Sequence, residues 1–575
     1  MAATGVLLST NVHLRSEKVE GLVTDIIATG SIVVCQHRHF QSCSAPPSPM
    51  PSLASVCVFL VLSFVKAAPT IPMATSDRVV IVGGGPAGCH FASLLAKKGF
   101  TDIHLVETNN QVGGKSHTEY DQRGRPQEMG TVFALETYTP IFDLIKTYDP
   151  TNTRFAFSFE KPNYMYVMGE SVGASDDASD VALDFPNYIL QSIQRNAPAT
   201  TAQSPPTDAQ LQAIFVDQAK RYMALHRKLL GTYAYGLPPQ PKDWRSIDMT
   251  AMEFLRANNL TALEGLFRFT QQQQGYGVLE RIPAFYLLWW SHPEAIANIM
   301  RAQVTKSPSA YEFINGYQSL WIAMVGAHRR VINKIVGATV TRVSRGLGSA
   351  AKLKRPASVT YTSWKGETIT IDCDHVVMAV DLSLFADLVV DMTSDEAALF
   401  KGTYVASTFT TTMFESDSGP LETAAQVWPL RMVNEDGRLS ALRNSKLTIL
   451  PGDPAAGWGN LTNGLQVRVA YQFFDKPLRD VDRIKMKSSL WLDLRKAGLP
   501  SPSVWGTFSF NYFPRFNATG LKKGLPWKIW DIQGDRRTTW IGSSVCFESV
   551  LDVVTYNNNL IQRVQVTGDT NATRG

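Results

Sequence analysis

The chain has 575 residues, of which 44% are hydrophobic, 18% charged and 10% aromatic, which is ample for a large buried core and too apolar for disorder. Against 50 Asp+Glu stand 55 Lys+Arg, and a formal charge of +5 over this length is too weak a field to predict nucleic-acid binding. A mean hydropathy of −0.08, and the lack of any apolar stretch of about eighteen residues after residue 75, exclude a multispanning membrane protein.

Residues 1–49 carry Ser, Thr and His in no clear period. The apolar run Ser52 to Val65 is short for a membrane span and ends at Lys66-Ala67-Ala68-Pro69. It reads as a secretory h-region with cleavage near residue 68, although its n-region lacks charge. It reads equally as a buried helix or strand of an N-terminal extension over 1–75. Under the first reading, our hypothesis is that Met50 is the true start; N-terminal sequencing that found residues 1–49 in the mature protein would remove it. Cys35, Cys43 and Cys57 lie in this part. Cys89, Cys373 and Cys546 remain, too few and too dispersed for a disulfide framework or a CxxC metal pattern. Sequons at Asn259, Asn460, Asn517 and Asn571 tilt the expected location toward secreted or endomembrane lumen, with cytoplasmic or organellar as the alternative.

Arg78-Val79-Val80-Ile81-Val82 has the pattern of a strand buried on both faces. Gly83-Gly84-Gly85-Pro86-Ala87-Gly88 follows at once, with Gly83 for the tight turn, Gly85 for close approach of a pyrophosphate and Gly88 for helix–strand packing. The next segment, Cys89 to Ala96, reads as a helix whose N-terminal amides face the phosphates. A second strand, Ile103 to Val106, ends on Glu107, 19 residues beyond Gly88 and placed for a ribose hydroxyl pair. Strand, glycine loop, helix, strand and acid in this order make a chance glycine-rich turn improbable, and a dinucleotide-type cofactor is expected.

FAD is favoured over NAD by the residues beyond Glu107. Gly113-Gly114-Lys115-Ser116-His117-Thr118 resembles the GG[RK]xx[ST] element of the amine-oxidase superfamily of flavoproteins. In that superfamily the glycines admit the diphosphate and the basic residue, here Lys115, neutralises it. Glu128-Met129-Gly130-Thr131 resembles the family's turn beneath the flavin. The stretch Ala338 to Val343 matches a segment that brings a valine backbone, here Val340, to the adenine. Thr539-Trp540-Ile541-Gly542-Ser543 gives another strand-to-glycine turn, where the family usually has an acid in place of Ser543. Ser549 to Val564 resembles the closing helix, whose start at Ser549 and Val550 offers amides to the flavin N1/O2 locus.

The resemblance implies an α/β fold: a Rossmann-like FAD-binding domain assembled from 76–150, 330–385 and 505–565, with a discontinuous α+β substrate domain from 151–329 and 386–504 and a tail over 566–575. Helical spacing is expected over 208–231 and 250–269, and exposed loops near 169–180 and 452–460. The Gln271–Gln274 run is too short to count as low complexity.

No HExxH or Cys/His cluster supports metal catalysis, and no G-x-S-x-G supports a hydrolase triad. The flavin then carries the chemistry, and no catalytic side chain is assigned. Aromatic runs at Phe267-Arg268-Phe269, Tyr276, Phe285 to Trp290 and Phe508 to Phe513 suggest an apolar substrate, while any single ring among them is best read as core.

Four stretches sharpen this. They are Leu263 to Phe267 leading through Tyr276-Gly277 and Pro283 to Tyr286; Asn315 to Leu320; Pro526 to Gly534; and Cys546 to Val550 leading to Asn559-Leu560-Ile561. They resemble the polyenoic fatty acid isomerases of red algae, within the same superfamily. What this implies is redox-neutral chemistry, in which oxidised flavin takes a hydride from the CH2 between two cis double bonds and returns it elsewhere, leaving the double bonds conjugated. Tyr276 and Phe547 are the implied pocket residues. An arginine is expected at the fatty-acid carboxylate, with Arg268, Arg281 and Arg515 as candidates. An oxygen-using amine oxidase or dehydrogenase is the alternative. Against it, the strand Val405 to Met413 lacks the lysine that amine oxidases use to hold a water at the flavin, although Lys401 is close by. A flavin-carrying binding protein without turnover is the third reading. Cys546, near the flavin locus, is read as an inert buried thiol rather than a covalent attachment point.

Overall fold

The computed structural model describes residues 70–156, 165–169, 181–197, 205–305, 307–346, 355–417, 424–444, 466–499 and 501–568. The apolar run after Met50, Cys35, Cys43, Cys57, Asn460, Asn571, the loop expected near 452–460 and all of that expected near 169–180 except Gly169, which ends a strand, lie outside them. Among the described residues no helix is long and apolar enough to cross a membrane.

The continuous apolar run Arg78–Val82 is the centre of a five-stranded sheet in the order Ile332–Ile335, Asp102–Val106, Arg78–Val82, His375–Met378, Thr538–Trp540. Every neighbouring pair is parallel. Val79, Val80 and Ile81 have no solvent exposure, as a strand covered on both faces requires. Pro86–Lys97 is the first crossover helix, opened by a proline in its first turn, and Tyr317–Ala327 and Val550–Ile561 pack against it. An antiparallel sheet of Ala338–Ser344, Ala357–Ser363 and Thr368–Cys373 precedes the fourth strand of the order. The fold is thus α/β with a Rossmann-like nucleotide domain, as expected.

The second layer is a seven-stranded sheet in the order Ser503–Phe516, Tyr404–Ser416, Gln466–Phe474, Leu439–Asn444, Ala425–Val427, Met165–Gly169, Val181–Asp184. All pairs are antiparallel except Ala425–Val427 with Met165–Gly169. The strand Ser503–Phe516 belongs to this sheet, so the chain re-enters the nucleotide domain only after it, later than position 505.

The expected helix over 208–231 is Asp208–Leu230, started by a Thr207/Gln210 capping box and stopped by Gly231 at φ +75°. The expected helix over 250–269 is broken instead. Ala251–Ala257 ends at Asn258, and a 3-10 turn, a short helix and a π turn over Arg268–Gln272 follow. Apolar spacing alone could not show this. The π turn directs Gln272 and Gln273 into the protein, where they donate to Pro429 O and Ser440 O beside and within the large sheet. The glutamine run is a buried set of staples between the helical layer and that sheet.

Candidate active site

A cavity of about 680 Å³ lies where the two sheets meet. Its first end is built by the carboxyl ends of the parallel strands, the usual ligand position in open α/β sheets. Gly83 has φ +106°, and a Cβ there would stand 3.0 Å from Ala379 O. Gly84 N donates to Glu107 Oε2 at 2.7 Å and Asn109 N to Glu107 Oε1 at 2.8 Å, so the glycine turn itself aims the buried Glu107 carboxylate. Gly85 is the N-cap of Pro86–Lys97 and gives no side-chain cap, which leaves the first-turn amides available. Gly114, at φ +53°, brings the second glycine loop so close that a Cβ would lie 2.8 Å from Gly85 Cα.

Gly83, Gly85, Pro86, Ala87, Glu107, Gly114, Lys115, Gly130, Thr131, Gly542, Ser543, Ser549 and Val550 all line the cavity, as does Tyr276. The remaining residues singled out from sequence do not. Gly88 packs against Gly83 O, which a Cβ would approach to 2.0 Å. Gly113 sits against Gln318. Met129 is fully buried, its carbonyl accepting from Thr411 Oγ1 at 3.0 Å. Val340, on Ala338–Ser344, is not among the lining residues. Phe547 packs behind the wall against Tyr276, Trp290 and Phe513 and does not face the cavity.

Two charged residues stand where the glycine turns meet. Lys115 Nζ lies 2.5 Å from Glu548 Oε1, donates to Ser543 Oγ at 3.2 Å and Asn511 O at 3.3 Å, and is 5.4 Å from the Tyr512 ring centre. Glu548 also accepts from Phe513 N at 2.9 Å. Burial lifts the Glu548 carboxyl above its ordinary pKa, and Lys115 opposes that lift. Where the family usually has an acid after the turn glycine, this chain has Ser543, and Glu548 reaches the same spot from five positions on. Glu548 was not singled out from sequence, because nothing local marks a carboxylate as the partner of a lysine 433 positions earlier.

Ser549 caps Val550–Ile561 by accepting from Asp552 N at 3.0 Å, and Asn557 Nδ2 donates to Ala87 O at 2.9 Å. The closing helix is therefore tied to the glycine-turn helix. Two uncapped or singly capped helix starts, two glycine cradles too narrow for side chains, and a carboxylate held by backbone amides fit FAD, which these residues would hold. Cys546 is buried, donates to Gly542 O at 3.1 Å, and is held well above its ordinary pKa by burial, so it is a protonated and inert thiol.

The second end of the cavity is one face of the large sheet. Met165, Ala425, Val427, Ala441, Tyr471, Phe409 and Phe510 present it, with Phe269 and Trp290 from the helical layer. Tyr276 stacks on Tyr512 at 5.8 Å and 9°, Tyr512 on Phe409 at 4.9 Å and 28°, and Tyr471 follows at 5.7 Å. This row of rings makes a largely apolar wall leading away from Lys115. Lys401 is exposed and does not line the cavity, and neither do Arg268, Arg281 and Arg515. Arg268 is paired with Glu264 and Glu280, Arg281 with Asp436 and Asp475, and Arg515 with Asp475. The expectation that one of these three meets a carboxylate in the cavity is therefore corrected.

A model of the family described as flavin containing amine oxidoreductase matches residues 87–409. The polyenoic fatty acid isomerase of Ptilota filicina is 20% identical over 516 residues, spanning 84% of this chain and 94% of that protein. The CLA-producing fatty acid isomerase from P. acnes superposes with a TM-score of 0.61 at 18% identity, over 86% of this chain and all of the other. Putrescine oxidase bound to putrescine superposes at 0.53 and 12% identity, over 85% and 99%. The two superpositions speak for the fold.

Proposed function

The chain belongs to the flavin containing amine oxidoreductase family and is an FAD-dependent enzyme, and from that premise we propose that it is a double-bond isomerase of polyunsaturated fatty acids. The observation that carries this reading is the single cavity joining the glycine turns to an aromatic, apolar sheet face. Similarity to the Ptilota filicina isomerase along most of both chains supports it. Bound FAD supplies oxidation of a substrate C–H bond and, in this reading, the reverse reduction of the same molecule, so no external oxidant is consumed.

The chain's own residues bind, orient and keep the site dry. Tyr276, Tyr512, Phe409 and Tyr471 give a polyene flat faces to lie along and exclude water that would trap a delocalised cation. Lys115 is neutralised by Glu548, so the wall presents no free ammonium to the substrate. The strand Tyr404–Ser416 contains no lysine, which speaks against an amine oxidase.

The test is to incubate the purified yellow protein with linoleate or arachidonate under air while following conjugated-diene or triene absorbance together with hydrogen peroxide. Conjugation without peroxide is the expected result. Peroxide with an amine but not with a fatty acid supports the oxidase, and neither signal supports a flavin-carrying binder.

A further inference from the structure

Arg443 lies on Leu439–Asn444, an interior strand of the large sheet, and is 4% exposed. Ala441 on this strand pairs with Tyr471. Arg443 is two positions farther along, on the same face, about 7 Å away at ~3.4 Å per residue. Among the described residues it is the one arginine that lines the cavity.

Its guanidinium is held from two sides. Nε donates to Tyr471 Oη at 2.5 Å, and Nη2 donates to Glu128 O at 2.6 Å. Nη1, equally sealed from solvent, has no acceptor. Every other arginine weighed for this role is matched by a carboxylate. Arg443 makes no ion pair with a described residue, and its two direct partners are a phenol and a carbonyl. The carboxyls that act on it over longer range are Glu312 and Glu128, which burial lifts to about 8 and about 7. Near neutral pH a large share of Glu312 is protonated, so the Arg443 charge is not fully balanced by the protein. A buried donor left unmade, on a fixed planar fork, in the wall of a largely apolar cavity, is matched by an anionic oxygen.

We propose that Arg443, set in place by Tyr471 Oη and Glu128 O, is the receptor for a carboxylate: the acid head of the apolar substrate docks against its guanidinium while the chain lies along the ring wall. This rests on the fatty-acid reading of the cavity. The same anionic chemistry could come from FAD itself, and the arms of the test separate the two sources.

The experiment uses the FAD-loaded protein and oleate, which has no CH2 between two double bonds, with oleyl alcohol as its uncharged counterpart. Binding is read from perturbation of the flavin absorbance. The wild-type protein is expected to bind oleate roughly ten- to hundredfold more tightly than the alcohol, the range of a hydrogen bond to a charged group. Arg443→Gln should bring that ratio to about one with FAD content unchanged, and Arg443→Lys should keep part of it. Tyr471→Phe, which removes the group that orients the fork, should weaken oleate several-fold and leave the alcohol alone. If Arg443→Gln does not fold, the lysine and phenylalanine variants and the wild-type ratio decide the matter. A wild-type protein indifferent to the charge, or a glutamine variant that keeps the preference, overturns the proposal. So does a folded glutamine variant that emerges without FAD, because the arginine would then serve the cofactor. Oleate cannot be isomerised to a conjugated product, so failure of the isomerase reading with linoleate is distinguishable from failure here.

Discussion

At the residue scale, the glycines are explained by what their missing Cβ would strike. A methyl on Gly88 would come to 2.0 Å from Gly83 O, and one on Gly130 to 1.9 Å from Lys115 O. Both obstacles are backbone atoms, which no rotamer change can clear. Gly88→Ala and Gly130→Ala should therefore shift the turns that face the cofactor. The expected outcome is protein with a several-fold lower flavin-to-protein absorbance ratio and a lower Tm. Gly124→Ala is the control, since no atom lies within 4 Å of that site, with φ +74° as its only cost. The Lys115–Glu548 pair makes a second prediction. Removing one member leaves the other near an empty partner, and breaking such a pair costs about 3–5 kcal/mol when fully buried. Lys115 is about a quarter exposed and Glu548 can protonate, so the cost should sit at or below the lower end of that range. Denaturant unfolding of Lys115→Met, Glu548→Gln and the double variant checks this. The double variant should be more stable than the sum of the single losses predicts. The glycines could be located from sequence because turn geometry is local. Glu548 and Arg443 could not, because Lys115, which pairs with the first, and Glu128, which helps hold the second, lie hundreds of residues away in the chain.

At the element scale, the closing helix illustrates how a local signal places a remote function. Ser549 before an apolar run is a legible N-cap, and the structure has its Oγ accepting from Asp552 N. Ser549→Ala should lower stability by about 1 kcal/mol, read as a fall in the denaturant midpoint. It also removes the short contact from Ser549 Oγ to Asp552 Oδ2 at 2.5 Å, so the cap and the helix's buried acid are disturbed together. The strand ending at Val82 and the helix after Gly85 were equally legible, since each is specified by one contiguous run. The seven-stranded sheet was not. Ser503–Phe516 and Tyr404–Ser416 are recognisable as strands, yet their pairing with Gln466–Phe474 and Leu439–Asn444 is fixed by registers that no segment encodes alone. The π turn over Arg268–Gln272 was hidden for a related reason. It is stabilised by Gln272 and Gln273 reaching backbone carbonyls at the large sheet, not by local propensity.

At the scale of the whole molecule, burial sets how stability depends on pH. His90, His226 and His375 are lowered to about 3 and His292 to about 4, in each case chiefly by burial. In the unfolded chain they titrate near 6.5, so between about 3 and 6.5 the unfolded state holds more protons on histidine and stability rises with pH. Glu128 and Asp552 are raised to about 7 and Glu312 to about 8, again by burial first. Unfolded carboxyls titrate near 4, so from about 4 up to 7 or 8 the native state holds more protons on these groups and stability falls with pH. From about 4.5 to 6 four histidines oppose three carboxyls and the curve should rise gently, with at most the slope of one group, before it levels. Above about 6.5 the unfolded histidines lose their remaining protons and the carboxyls come to dominate, each with a slope of at most about 1.4 kcal/mol per pH unit. Between pH 7 and 8 Glu312 carries the largest share of the fall, with Glu128 and Asp552 past their midpoints. Thermal unfolding of the FAD-loaded protein should therefore show a Tm that rises gently to a maximum near pH 6 and falls toward pH 8. Glu312→Gln cannot ionise, and should lose most of the fall between pH 7 and 8 while keeping the earlier part. A wild-type Tm that climbs from pH 6.5 to 8, or a glutamine variant with an unchanged slope above pH 7, would show that the Glu312 carboxyl, which acts on Arg443 at longer range, is ionised in the folded protein. The guanidinium would then already have its counter-charge, which connects this measurement to the acid-head subsite.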